Sequence, residues 1–198
     1  MSLETVVRES VHFLDALLTD ETGKPTFYLI DNTTLSISLS EEAMLAVNSA
    51  KLNAIYNLLS EEEKDNGGYS EEYLTGNYGN QDFFSLLDEL NAYANGLNSS
   101  IKLPRPKNGN SHSALAGPLA MIVFVLRYYQ YHEQVGPTYF KNVLMNGSLR
   151  TVVHILINQA LDEVKAGRQL PDLQVDVEFW EKTLQVKEQL RMLKLIIP

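Results

Sequence analysis

The chain has 198 residues, of which 44% are hydrophobic and 21% are charged, and its formal net charge is −9 at neutral pH. This composition excludes a disordered or fibrous protein and fits one globular domain or two small lobes. Because the sequence contains no cysteine, it also excludes disulfides, thiolate metal sites and cysteine nucleophiles.

The two halves of the chain carry opposite net charge. Residues 1–97 contain 4 basic and 17 acidic side chains, a net of −13, whereas residues 98–198 contain 12 basic and 8 acidic side chains, a net of +4. Surfaces of opposite charge attract each other over about one Debye length, which is roughly 8 Å in physiological salt. The asymmetry therefore predicts that the halves either pack against each other or contact another chain.

The first part of the chain predicts a helix, a β-hairpin and a second helix. Residues 3–18 indicate a helix because apolar side chains recur there at spacings of four, three and four. Residues 26–30 and 34–39 predict the two strands of a hairpin, since apolar residues alternate with serine in the second strand. Ser40, followed by two glutamates, is typical of a helix start, and this helix is expected to run to about Leu59.

A long loop and a linker are predicted next. Residues 60–81 are acidic, contain glycine and show no periodicity, which predicts a loop of a length that is usually functional or mobile. After one further helix, residues 98–113 predict an exposed linker. It would join an acidic N-terminal lobe, residues 1–97, to a basic helical lobe, residues 114–198. One continuous domain is the alternative.

The basic lobe predicts four helices. The first, from Pro118, is apolar on every side in its first half, which predicts burial all round. A short helix follows from Pro137, a longer one starts at Ser148, and the last covers about residues 175–197. The sequence thus predicts a mainly α protein of about seven helices with one small β-hairpin near the N-terminus.

The last helix carries the predicted interaction surface. Its apolar residues recur at the four-three spacing of a short coiled coil, although the same pattern would also suit packing in the core of one chain. With the oppositely charged halves, this helix predicts a non-enzymatic protein-interaction or assembly subunit that binds a protein partner or itself, with an assembly mass that falls as salt rises. The assigned residues are Phe179, Trp180, Val186, Leu190, Leu193 and Ile197.

An RNA-handling protein is the alternative function. Arg127 and His132 are separated by four residues, a spacing that resembles the short signature of the HEPN ribonucleases. The resemblance covers only this motif, and the family usually has a small polar residue where this chain has Tyr128. It implies that the arginine and the histidine face a cleft, usually between two copies, and act on the RNA backbone. Histidine would serve as the acid or base and arginine would hold the phosphate, so both are candidate catalytic residues.

A single-stranded nucleic-acid-binding subunit is the other form of this alternative. Basic side chains can hold phosphates by charge, and neighbouring tyrosines can stack on bases. The acidic half would repel phosphate, so a protein partner is favoured. The candidate nucleic-acid residues are Lys102, Arg105, Lys107, Tyr128, Tyr129 and Tyr131.

The sequence predicts no cofactor and no metal site. It contains no phosphate-binding glycine loop, no metal-ligand spacing and no nucleophile elbow. Its longest apolar run, residues 114–126, is shorter than the roughly 20 residues that a bilayer needs, and no leader pattern precedes it. We therefore expect a soluble, intracellular, cytoplasmic protein without membrane contact.

Overall fold

A computed structural model describes residues 2–65, 67–103, 115–170, 173 and 177–197. These residues are mainly helical, as predicted. Two 3-10 helices span Leu52–Leu58 and Tyr78–Asn80, and a π-helical segment spans Phe140–Leu144. The α-helices are α1 (Leu3–Thr22), α2 (Glu41–Ser49), α3 (Glu61–Asp65), α4 (Tyr69–Leu74), α5 (Phe83–Lys102), α6 (Ala116–Val135), α7 (Pro137–Tyr139), α8 (Gly147–Gly167), α9 (Val177–Leu184) and α10 (Lys187–Ile196).

The predicted β-hairpin is confirmed. Strands β1 (Thr26–Tyr28) and β2 (Thr34–Ser36) pair antiparallel. The turn between them places Asn32 in the left-handed region at φ 65°, which asparagine tolerates better than most residues. The Asp31 carboxylate fixes the turn because it accepts hydrogen bonds from the backbone amide and the hydroxyl of Thr33, at 3.0 and 2.6 Å.

The prediction of about seven helices is wrong, since the described residues form ten α-helices besides 3-10 and π segments. The helix predicted from Ser40 does start there, with the serine hydroxyl accepting from the Ala43 amide, but it ends at Ser49 and a 3-10 helix follows. Residues 60–81, predicted as a loop, contain α3 and α4. The last helix is divided into α9 and α10, because Val186 adopts an extended conformation between them. Contacts with distant residues, such as that of Glu63 with Arg127, stabilise these short helices. Such contacts produce no apolar periodicity in the sequence.

Helix α6 forms the centre of the core. Its side chains from Leu119 to Leu126 are all buried, which confirms the predicted burial on every side. Helix α5 packs against α1 on one side and against α6 and α8 on others. The close approach of α5 to α6 requires glycine at position 117, since a β-carbon there would lie 2.4 Å from the Tyr93 ring.

Buried side chains from both predicted lobes, among them Leu87 and Val123, belong to one hydrophobic cluster. Within the part of the chain that the structure describes, no helix is long and apolar enough to cross a bilayer.

Candidate interaction surface

The residues predicted to form the interaction surface on the last helix mostly face the protein core. Trp180 is fully buried and makes edge contacts with the rings of Phe124 and Phe179. Leu193 and its neighbours at positions 190 and 197 are half-buried. Of the six assigned residues, only Val186 is strongly exposed, at the break between α9 and α10.

Packing within one chain accounts for this apolar pattern. The division at Val186 lets α9 and α10 each turn an apolar side toward α6. Met192 and Ile196 of α10 are completely buried there. A coiled-coil spacing and the inner face of a core helix require the same apolar periodicity, so the sequence alone did not separate them.

An exposed apolar stripe lies instead on α1. Its members recur at helical spacing on the side of α1 that faces away from α5, with Ser10 in the middle of the stripe. The five apolar residues of the stripe have exposed fractions of 52% for Leu3, 44% for Val6, 66% for Phe13, 37% for Leu14 and 42% for Leu17. We call these five residues and Ser10 the outer face of α1.

The charges next to the outer face of α1 are acidic. Glu9 is exposed on one flank, and Asp20 and Glu21 are exposed in the last turn. That turn contains no basic residue. Because the C-terminal end of a helix carries the negative end of its dipole, acidic residues there are unfavourable within the single chain. The outer face is therefore apolar along its length and acidic at one end.

Ion pairs anchor the opposite side of α1 to α5. His12 lies between two carboxylates, with Nδ1 2.7 Å from Asp88 Oδ2 and Nε2 3.5 Å from Glu89 Oε2. Burial lowers the pKa of His12, but the hydrogen bonds to these two carboxylates outweigh burial and raise it to about 10. The Arg8 guanidinium lies over the Tyr93 ring at 4.7 Å. Helix α1 is thus held by its inner side, and its outer face is left exposed.

These anchoring groups border a polar cleft of about 290 Å³ between α1 and α5, lined also by Tyr73 and Tyr78. His12 stays charged at neutral pH, which makes it unsuited to act as a general base. Both Asp88 Oδ1 and Glu89 Oε2 are shielded from solvent; among the described residues Asp88 Oδ1 has no hydrogen-bond partner, and His12 Nε2 lies 3.5 Å from Glu89 Oε2. A ligand in the cleft would not reach these oxygens. The arrangement fits a structural role for these charged groups.

The structure does not bring Arg127 and His132 into a shared groove. Arg127 Nη2 donates to both carboxylate oxygens of Glu63, at 2.9 and 3.0 Å, and Glu63 is almost completely buried. His132 is buried between the rings of Tyr128 and Tyr139, and burial lowers its pKa to about 4. Five residues along a helix correspond to about 140° of rotation, so the two side chains point in different directions.

The tyrosines proposed for nucleic-acid stacking belong to the core. Tyr128 is fully buried with its ring stacked on Phe83 at 4.5 Å. Tyr129 is also fully buried, and its hydroxyl donates to the Leu144 carbonyl at 3.0 Å. Neither ring has a face open to a base.

The remaining nucleic-acid candidates do not form a surface with these tyrosines. Tyr131 is half-buried and packs against the core, whereas Lys102 is exposed at the end of α5. Arg105 and Lys107 lie outside the described residues.

Neither a metal site in the described residues nor a similar protein indicates a function. In the described ranges, no group of three or more histidine, aspartate or glutamate side chains could hold a metal ion. No protein-family model matches the chain, and no curated protein or solved structure matches it. The geometry of the molecule itself is therefore the basis for inferring its function.

Proposed function

We propose that this chain is a non-enzymatic assembly subunit that contacts other protein chains through the outer face of α1. The observation that carries this proposal is the stripe of five exposed apolar side chains on a helix anchored by its opposite side. Contiguous apolar patches of this kind are uncommon on monomeric proteins and mark interaction sites.

The spacing of the stripe supports contact with another helix. Recognition of an amphipathic helix uses anchors three, four and seven residues apart, and Leu3, Val6, Phe13 and Leu17 follow that spacing. Burying these side chains removes apolar surface from water, which is favourable by roughly 25 cal/mol per Å². The energy for association therefore comes mainly from apolar contact.

The charges predict how such an assembly responds to salt. A contact between the acidic half of one chain and the basic half of another would weaken as salt rises. A contact between two copies of the outer face of α1 depends on apolar burial and joins two acidic halves, so rising salt would strengthen it. We propose that the association occurs through the outer face of α1 and therefore strengthens as salt rises.

The molar mass of the full chain, measured by light scattering from about 1 µM to about 1 mM, tests this proposal. We expect the mass of the wild type to rise with concentration. The double variant Phe13→Asp/Leu17→Asp should keep the mass of one chain, because it places charges in the apolar stripe.

Leu45→Asp is the matched control, since Leu45 is 60% exposed on α2, outside the stripe. It should associate like the wild type, and circular dichroism should show the same helix content in all three proteins. A wild type with the mass of one chain at every concentration contradicts the proposal. Undiminished association of the double variant does so as well.

A further inference from the structure

Resting on the proposed function, we infer that the occupant of the outer face of α1 is a second copy of this chain. The two α1 helices lie antiparallel and cross at Ser10, related by a two-fold axis. The arrangement is a closed dimer, in which each copy uses the same surface.

The stripe is self-complementary about Ser10. A two-fold axis at this residue places each α1 position opposite the position that lies equally far on the other side of Ser10. Leu3 of one copy then faces Leu17 of the second copy, and Val6 faces Leu14. Each of these apolar contacts occurs twice in the dimer. Phe13 is the most exposed member of the stripe, and its ring lies beside Val6 of the second copy.

Ser10 is suited to the crossing point. Its side chain is small, which allows two helices to approach closely. Its hydroxyl donates to the Val6 carbonyl of the same helix at 2.8 Å. Because this donor already has a partner inside α1, burying it at a helix crossing leaves no unsatisfied hydrogen-bond donor.

The charges select the antiparallel orientation. In an antiparallel pair, Asp20 and Glu21 lie near the N-terminal end of the second copy's α1, where the positive end of the helix dipole stabilises carboxylates. A parallel pair would instead bring two acidic ends together. The acidic residues that are unfavourable at the end of their own helix thus become favourable in the dimer.

Glu9 sets the salt dependence of this dimer. It precedes the crossing residue on one flank, so the two copies of Glu9 lie on the same side of an antiparallel pair. The contact of Glu9 with Arg8, at 3.5 Å, reduces their repulsion only partly. Rising salt screens this repulsion between full charges more than it weakens the attraction of Asp20 and Glu21 to the half-charge of a helix end, so it tightens the dimer. A single helix pair buries less than the roughly 1,600 Å² of a standard interface, so we expect a dissociation constant in the micromolar range or weaker.

Disulfide cross-linking of the full chain tests the arrangement. Because the natural sequence contains no cysteine, a single introduced cysteine is the only thiol that can react. Ser10→Cys lies on the two-fold axis and should form an interchain disulfide. Ser49→Cys is the matched control, since Ser49 is an exposed helical serine with the same hydroxyl bond to the carbonyl four residues earlier, at 2.8 Å. We expect Ser10→Cys to cross-link at least about tenfold faster, the effect of a raised local concentration.

A second pair of variants tests the direction of the helices. A mixture of Leu3→Cys and Leu17→Cys should cross-link faster than either variant alone, because these positions face each other only in the antiparallel dimer. Faster cross-linking of each variant with itself would overturn the antiparallel orientation.

The outcomes also separate this inference from the proposed function. If the chain associates through α1 but Ser10→Cys reacts no faster than Ser49→Cys, the second copy is bound in another way; the inference fails and the proposed function stands. If the wild type keeps the mass of one chain at every concentration, the outer face of α1 supports no assembly of this chain, and both the inference and the proposed function fail.

Discussion

Two histidines illustrate how the surroundings of single residues determine their chemistry. His12 and His132 are both largely enclosed, but the hydrogen bonds to Asp88 and Glu89 raise the pKa of His12 to about 10, whereas burial without a carboxylate lowers the pKa of His132 to about 4. His12 stabilises the fold as a cation, and His132 belongs to the core as a neutral ring. Neither is poised near neutral pH for proton transfer.

The His12 ion pairs predict a dependence of stability on pH. The folded-state pKa of about 10 lies above the 6.5 of the unfolded chain, so this contribution is fully present below pH 6.5 and is lost as pH rises to 10. Urea unfolding should show a loss of roughly 1–3 kcal/mol over that range, the size of hydrogen bonds to charged groups. His12→Gln should be less stable at pH 6 and should lose less on going to pH 10. Equal pH profiles for the variant and the wild type would refute this role.

The buried pair of Glu63 and Arg127 predicts a strong effect of removing one partner. Arg127→Met leaves the Glu63 carboxylate buried without its cation, which costs roughly 3–5 kcal/mol of unfolding free energy. In the double variant Glu63→Leu/Arg127→Met, most of that loss should be recovered, because no unpaired charge remains. Urea titration of both variants measures this. Equal stability of the single variant and the wild type would contradict a structural role for Arg127.

At the scale of elements, the two sides of α1 perform different tasks. Val11 on the inner side is buried against the core, whereas Leu17 on the outer face is exposed. Val11→Ala should therefore destabilise the protein by roughly 1–3 kcal/mol, through lost packing and a residual cavity. Leu17→Ala should change the stability of dilute, monomeric protein by less than about 0.5 kcal/mol. Thermal unfolding at low concentration compares the two, and a large loss for Leu17→Ala would show that the outer face belongs to the core of a single chain.

The contact between α5 and α6 depends on a glycine. Gly117→Ala places a methyl group against the Tyr93 ring, which should destabilise the fold by roughly 1–3 kcal/mol. Gly147→Ala, at the start of α8, is the control, since a β-carbon there meets no atom within 4 Å. That change should be neutral or stabilising by up to about 1 kcal/mol. Similar unfolding midpoints for both variants would argue against the close approach.

For the whole molecule, local signals predicted more of the fold than of the candidate site. The Ser40 cap, the hairpin and the buried α6 each depend on residues close together in sequence. The short helices α3 and α4 were missed because distant contacts fix them, such as the pairing of Glu63 with Arg127, 64 residues away.

The candidate site could be predicted only in part. The apolar positions of the outer face of α1 are visible in the sequence, but α1 is apolar on more than one side, and sequence does not reveal which side packs against α5. The packed side becomes clear only when His12 is seen between Asp88 and Glu89, 76 and 77 residues away. The apolar pattern of the last helix was visible too, yet packing within one chain uses it.

The salt dependence of the assembly mass distinguishes contact through the outer face of α1 from contact between oppositely charged halves. Light scattering of the full chain, at one concentration in the micromolar range and from about 20 mM to about 500 mM salt, covers Debye lengths from roughly 20 Å to roughly 4 Å. Contact through the outer face of α1 predicts a mass that rises toward two chains as salt increases. A mass that falls to one chain as salt increases would contradict the account, because it would identify the contact as one between the acidic and basic halves.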